Sequence, residues 1–304
     1  NPWFVAYEFT RPYSEPELIA SASLDYDIID GLNFMVKVAT DSKHQNQEEC
    51  KPYAWVGNDN GCYSVSSDRN VDVNIDAMLS YKKKFGWFDV DAMVGASVYD
   101  SMRNYQWAST DGGLLQPDLY NVTNSTNSPK VTTTIQRRRM EGVFGTATFG
   151  ALNAIFLTFT GRNDWSSTLN QDNNSFFYPS VSLSGVMTSL INLPKAISFW
   201  KVRGSWAKVG FDQSSVYLLE NSYSFNKYWG NNASMTPPTL VIDKGIKPYF
   251  TNSLEIGTDI RFFDNRLRLD FSYYRTKDEG QIQQVDINQS SGYSKLLTNG
   301  NDYR

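Results

Sequence analysis

Residues 18–41 read Leu18-Ile19-Ala20-Ser21-Ala22-Ser23-Leu24-Asp25-Tyr26-Asp27-Ile28-Ile29-Asp30-Gly31-Leu32-Asn33-Phe34-Met35-Val36-Lys37-Val38-Ala39-Thr40-Asp41. The period is two. Leu18, Ala20, Ala22, Leu24, Tyr26 and Ile28 fall on one face, and Ile19, Ser21, Ser23, Asp25, Asp27 and Ile29 on the other. Such alternation puts one set of side chains on each side of a sheet. Asp30-Gly31 is a two-residue hairpin signal, because both turn positions favour positive φ. The chain then returns with Leu32, Phe34, Val36 and Val38 opposing Asn33, Lys37 and Asp41.

The form repeats outward from this hairpin. Val71, Val73, Ile75, Ala77 and Leu79 alternate with Asp72, Asn74, Asp76 and Ser80, and Phe88 to Val98 alternate with Asp89, Asp91 and Ser97. Near the end, Leu254, Ile256, Ile260 and Phe262 oppose Glu255, Asp259 and Arg261. After Asp264-Asn265, Leu267, Leu269, Phe271 and Tyr273 oppose Arg266, Arg268, Asp270 and Ser272. The pattern predicts ten strands, near 18–29, 32–41, 70–81, 88–99, 136–149, 154–162, 177–186, 198–208, 252–263 and 266–276. The fold class is all-β and antiparallel.

The connections alternate short and long. The long ones are about 42–69, 100–135, 163–176 and 209–251. Short turns at one end and long loops at the other are the habit of an outer-membrane barrel, and strands of about ten residues cross a bilayer when tilted. The polar face carries Asp25, Asp27, Lys37, Asp72, Asp76, Asp89, Asp91, Lys201, Arg203, Asp259, Arg261 and Arg268. Burying these dry would cost several kcal/mol each, whereas a wet lumen accepts them. A soluble sheet with one wet face gives the same alternation. Loop asymmetry and strand length favour the membrane. Aromatics cluster at strand ends (Tyr81, Phe85, Trp87, Phe88; Phe176, Phe177, Tyr178; Phe199, Trp200; Tyr249, Phe250), as in the interfacial girdles of barrels.

Composition narrows the function. Of 304 residues, 28 are Lys or Arg and 32 Asp or Glu, a formal charge of −4, which argues against a nucleic-acid binder. A single histidine, His44, makes a catalytic triad or a histidine zinc site unexpected. No acid–base pair stands out as catalytic, and neither cofactor nor metal is expected; the chain is not read as an enzyme. No run of 18 apolar residues marks a membrane helix, and the opening Asn1-Pro2-Trp3-Phe4 lacks the build of a signal peptide. The expectation is that targeting sequence has been removed or that the chain is part of something longer.

Two cysteines, Cys50 and Cys62, share one polar stretch. They are read as a disulfide closing a surface loop, worth roughly 3 kcal/mol on loop-closure arithmetic, with two unrelated thiols as the alternative. In the long loops, Tyr53, Trp55, Tyr105, Trp107, Tyr223, Tyr228 and Trp229 interleave with Asn and Asp. Aromatic faces beside hydrogen-bonding groups suit sugar rings or peptides; loop packing is the rival explanation for any one ring. Arg137-Arg138-Arg139 is a basic run entering a strand, read as a solvated loop base or as a lipid-phosphate contact.

Several phrases resemble one family. They are Asn1-Pro2-Trp3 with Ser21-Ala22-Ser23-Leu24-Asp25-Tyr26-Asp27; Gly161-Arg162-Asn163-Asp164-Trp165-Ser166-Ser167; Phe177-Tyr178-Pro179-Ser180-Val181-Ser182-Leu183-Ser184; Lys201-Val202-Arg203-Gly204-Ser205-Trp206-Ala207-Lys208-Val209-Gly210; Asn252 to Asp259 with Asn265-Arg266-Leu267; Tyr273-Tyr274-Arg275-Thr276-Lys277-Asp278; and Gly292-Tyr293 with Thr298-Asn299-Gly300. In this order across nearly the whole chain they resemble the SusC/RagA-like TonB-dependent transporters of the Bacteroidetes outer membrane. Ala207 and Phe211 depart from that family's usual glycine and asparagine.

The resemblance implies a 22-stranded barrel with a plug in its lumen. On that footing residues 1–304 are a mid-barrel segment, with the plug domain and remaining strands absent from this chain. It further implies import of a glycan or peptide nutrient, a SusD-like surface lipoprotein as lid, and energy from TonB–ExbB–ExbD through the plug. The other partners would be outer-membrane lipid and the remaining barrel segments. A porin, an adhesin translocator and a soluble all-β carbohydrate-binding protein stay open as alternatives.

Overall fold

A computed structural model describes residues 2–53, 60–212, 215–229 and 232–300, with the side chains of 4, 226–229 and 233 outside the description. A short helix α1 (Pro2–Tyr7) begins on Pro2, whose fixed φ suits a first helical turn, and Trp3 stacks on Tyr7 at 5.3 Å. Strands β1 (Tyr13–Ser14), β2 (Glu17–Ile29), β3 (Leu32–Lys51), β4 (Cys62–Phe85), β5 (Phe88–Leu114), β6 (Ser125–Ala151), β7 (Ile155–Ser166) and β8 (Ser175–Val186) follow. A one-turn helix α2 (Met187–Leu190) leads to β9 (Ile197–Phe211), then β10 (Ser224–Trp229), β11 (Asn232–Thr236) and β12 (Leu240–Ile242). The chain continues through β13 (Tyr249–Phe262), β14 (Leu267–Glu279), β15 (Ile282–Asp286) and β16 (Lys295–Asn299).

Eleven strands form one sheet in the order β1-β3-β4-β5-β6-β7-β8-β9-β13-β14, with β2 also pairing β3. The pairs β1–β3, β6–β7, β7–β8, β8–β9, β9–β13 and β13–β14 run antiparallel. Two small sheets sit apart from this path: β10-β11, and β12-β16-β15, in which β12 runs parallel to β16. Contacts divide the chain into two compact units, residues 1–23, 37–75 and 99–138, and residues 24–36, 76–98 and 139–304.

All ten expected strands are present. The expected long loops at 42–69 and 100–135 are largely strand instead. β4 has 24 residues and β5 and β6 have 27 each, so each spans ~80–90 Å at about 3.3 Å per residue, far beyond the ~25–30 Å that a membrane needs. The ladder is made by backbone groups and continues where both faces are wet, although the side-chain alternation that betrays it has stopped. The segments 163–176 and 209–251 are also shortened at both ends by strand.

The turns follow the sequence with one change. Only Gly31 of the first hairpin has positive φ, at 82°, and a Cβ there would strike the carbonyl oxygen of Lys82. At the β13–β14 turn Phe263, Asp264 and Asn265 all take left-handed φ of 53–65°, for which Asp and Asn are suited and Phe is not.

The apolar face is uncovered. Leu24 is 66% exposed and Leu269 56%, and among the described residues no second layer of sheet or helix lies over them. Buried hydrophobic residues are correspondingly few. A protein that hid this face against itself would show the reverse. No described helix is long and apolar enough to cross a membrane.

Candidate binding surfaces

In the first unit, the strand extensions enclose a small core of Cys50, Tyr63 and Leu114, with Tyr53, Val65, Tyr120 and Val122 packed against it. Tyr63 donates its hydroxyl hydrogen to Glu48 Oε2 at 3.0 Å, and burial with this carboxylate raises its pKa to about 12. Tyr53 donates to the carbonyl oxygen of Leu114 at 2.6 Å. Its hydroxyl is therefore spent on holding Lys51–Tyr53 to the end of β5.

Tyr105 and Trp107 are placed differently. Both are half-buried and lie two residues apart on β5, so they share a face with Arg103. Arg103 grips Asp68 with two nitrogens, Nε at 2.9 Å from Oδ1 and Nη2 at 2.6 Å from Oδ2, and its guanidinium carbon lies 5.6 Å from the Tyr105 ring. Aromatic rings beside a fixed guanidinium are a workable surface for a sugar or peptide. Trp55 lies outside the described residues. The backbones of Tyr228 and Trp229 lie in β10, where Trp229 pairs with Asn232.

The cysteines are not bridged; both are free thiols. Cys50 belongs to the core that contains Tyr63, and Cys62 precedes Tyr63 on a strand, so alternation turns Cys62 to the opposite face. There its Sγ lies 3.6 Å from the hydroxyls of Ser109 and Thr110. His44 rests at 2.9 Å from Ser67 Oγ, and the described residues contain no metal-binding cluster.

In the second unit the polar face carries clusters of paired charge. Arg162 Nε donates to Asp164 Oδ1 at 2.7 Å, and its Nη2 donates to Ser97 Oγ at 2.8 Å. Tyr178 donates its hydroxyl hydrogen to Asp164 Oδ2, and stacks on Phe176 at 6.0 Å. Ser166 and Thr168 both donate to Asp212 Oδ2, at 2.5 and 3.0 Å. Further along, Arg203 meets Glu255, Asp270 and Ser272, while Asp259 accepts from Arg261 and Arg268. Paired charges of this density are tolerable on a wall facing water or a polar filling, not on one facing lipid.

Alternation had already grouped Arg203, Asp259, Arg261 and Arg268. It had not reached Asp164 and Asp212, which fell in expected loops. A cavity of about 550 Å³ beside Gly185, Gly204, Leu183, Val202, Ile256 and Phe271 has an almost wholly apolar lining and lacks the hydrogen-bonding groups that a sugar would need.

Three comparisons agree with this geometry. Residues 4–302 match the family model described as TonB dependent receptor-like, beta-barrel. The chain is 24% identical over 306 residues to TonB-dependent receptor P3 of Formosa agariphila, covering 98% of the chain and 31% of that protein. It is 22% identical over 258 residues to TonB-dependent receptor SusC of Bacteroides thetaiotaomicron, covering 81% and 25%. In fold it is similar to a structure of the RagAB peptide transporter, with a TM-score of 0.87 at 17% identity, covering 99% of the chain and 34% of that one. The chain thus spans about a third or less of the length of these relatives.

Proposed function

The chain belongs to the TonB dependent receptor-like β-barrel family, and from that we propose that the whole protein imports a nutrient of the glycan or peptide class across the outer membrane. Residues 1–304 serve as part of the barrel wall, with the plug and the remaining strands supplied outside this chain. The observation that carries the reading is the two-faced sheet. One side is exposed and apolar at Leu24, Ile256 and Leu269, and the other is knit by Arg162–Asp164 and Arg203–Glu255 ion pairs. Lipid outside and a polar plug or water inside account for both sides at once.

The long extensions of β4, β5 and β6 carry Tyr105 and Trp107 to the outer end of the segment that would cross the bilayer, on the face of β5 opposite Met102 and Asn104, where a substrate and a SusD-like surface lipoprotein would meet the barrel. TonB–ExbB–ExbD would act through the plug. The role is transport rather than catalysis. Deletion of the full-length gene, followed by growth on single glycans and peptides, tests this. Loss of growth on one nutrient class, restored by the gene only when TonB is present, is the expected result. Uptake independent of TonB, with a steady ion conductance in planar bilayers, would instead mark a porin.

A further inference from the structure

The geometry points to a binding site for a phosphorylated glycolipid of the outer leaflet, in the first unit on the apolar face of β4 and β5. It rests on the membrane placement argued above but not on the identity of the nutrient.

A cavity of about 320 Å³ is lined by Arg69, Val71, Val73, Asp100, Met102 and Asn104. Val71 and Val73 belong to the alternating apolar set of β4, and Asp100, Met102 and Asn104 share one face of β5. Apolar groups thus adjoin a cation where the apolar set of β4 ends. Arg69 is exposed and makes no ion pair among the described residues. Arg137, from β6, reaches the same cavity wall by its contact with Asp100 Oδ2 at 3.3 Å, and remains 61% exposed at its side chain. On β6, Ile135 lies on Arg137's face and is 57% exposed.

Arg69 beside Val71, Val73 and Met102 forms an amphiphilic recess, with Arg137 and Ile135 on the neighbouring β6 and the Asp100 carboxylate in its wall held by Arg137. A free anion would use only the guanidinium groups and an acyl chain only the trough. A lipid with a phosphate on its headgroup uses both, since Arg is well matched to phosphate oxygens. A third group favours a sugar headgroup. Asn104 Oδ1 is buried and has no hydrogen-bond partner. An acceptor left in that state is costly, and a sugar hydroxyl can donate to it.

The test uses the full-length transporter, extracted from outer membranes in mild detergent and exchanged with the cells' own phosphorylated glycolipid, with its enzymatically dephosphorylated form, or with inorganic phosphate. Retained ligand is read by native mass spectrometry. Retention of the phosphorylated glycolipid is expected to exceed that of the dephosphorylated form by about tenfold, the effect of losing one charge-assisted contact worth one decade of affinity. Arg69→Ala with Arg137→Ala is expected to lower retention at least as far, with nutrient uptake unchanged. Equal retention of both lipid forms by the wild-type protein overturns the proposal, and that arm needs no variant to fold. Inorganic phosphate held as firmly as the glycolipid overturns it as well. Uptake reads the import proposal and retention reads this one, so the two fail separately.

Discussion

Arg162 and Asp164 sit two residues apart on one strand face, joined by an Nε–Oδ1 hydrogen bond of 2.7 Å, and Asp164 is only 3% exposed. The carboxylate also accepts from Tyr178 on the neighbouring strand. Asp164→Ala would strand both donors. Breaking a buried pair costs about 3–5 kcal/mol, and Arg162, with 29% of its side chain exposed, recovers some hydration, so about 1–3 kcal/mol is expected. Gly142→Ala should act on the same cluster, because its Cβ would collide with Asp164 Oδ1 and Arg162 Nη2. The two losses should therefore not add. Urea unfolding of the single and double variants in detergent checks this, and strictly additive losses would separate the two sites.

Much of this arrangement is legible in the sequence, and the rest fails for definite reasons. Alternation reveals a strand only where its two sides meet different media. Val71 to Leu79 and Leu254 to Phe262 do so, and both stretches are strand. From Ser42 to Lys51 both sides are polar, so the 20-residue β3 looks ten residues long. Asp164 lies beyond the expected end of that strand at Arg162, four residues short of its true end at Ser166, because alternation stops there. The pairing of β12 with β16 joins Leu240 to Lys295, and three to five residues are too few to show a period. The cysteines suggested a bridge through sequence spacing, while the strand start at Cys62 turns it away from Cys50.

Tyr63 gives the strand extensions a pH limit. Its pKa is about 12 in the folded protein, raised first by burial and then by Glu48, against 10 when free. A group raised on folding stabilises fully below its unfolded value and loses that contribution as pH climbs through the folded one. The first unit should therefore hold to about pH 10 and weaken between about 10 and 12. Tyr63→Phe removes the ionisation and should flatten this window. Hydrogen exchange of residues 48–65 across that range reads the effect, and an unchanged profile in the variant would assign the loss to other groups.

Tyr53 and Trp107 should separate packing from recognition. Tyr53→Phe deletes the bond to Leu114 and is expected to cost about 1 kcal/mol of local stability while leaving substrate affinity unchanged. Trp107→Ala should leave unfolding nearly unaltered but weaken nutrient binding by about 1–3 kcal/mol if its ring meets the substrate beside Arg103 and Tyr105. Isothermal titration of the full-length transporter with its nutrient measures both. The opposite assignment, affinity lost with Tyr53→Phe and kept with Trp107→Ala, would move the binding surface to the Leu114 core.

The placement in lipid has its own test at Leu269, which is exposed on β14 across from Ile260. Replacing it by Arg puts a charge where acyl chains are expected. The cost in a barrel depends on depth, about 2–4 kcal/mol near the midplane and close to nothing at the interfaces. Leu267 opens that strand and Tyr273 lies at its middle, both on the same face, so Leu267→Arg and Tyr273→Arg place the same charge at other depths. A face in water would give three small and equal effects, because an exposed arginine there is hydrated at every position. A face in lipid must give unequal ones, ordered by distance from the midplane. Folding into vesicles of thinner and thicker bilayers sharpens the contrast, since the midplane penalty grows with thickness while a solvated face is indifferent to it.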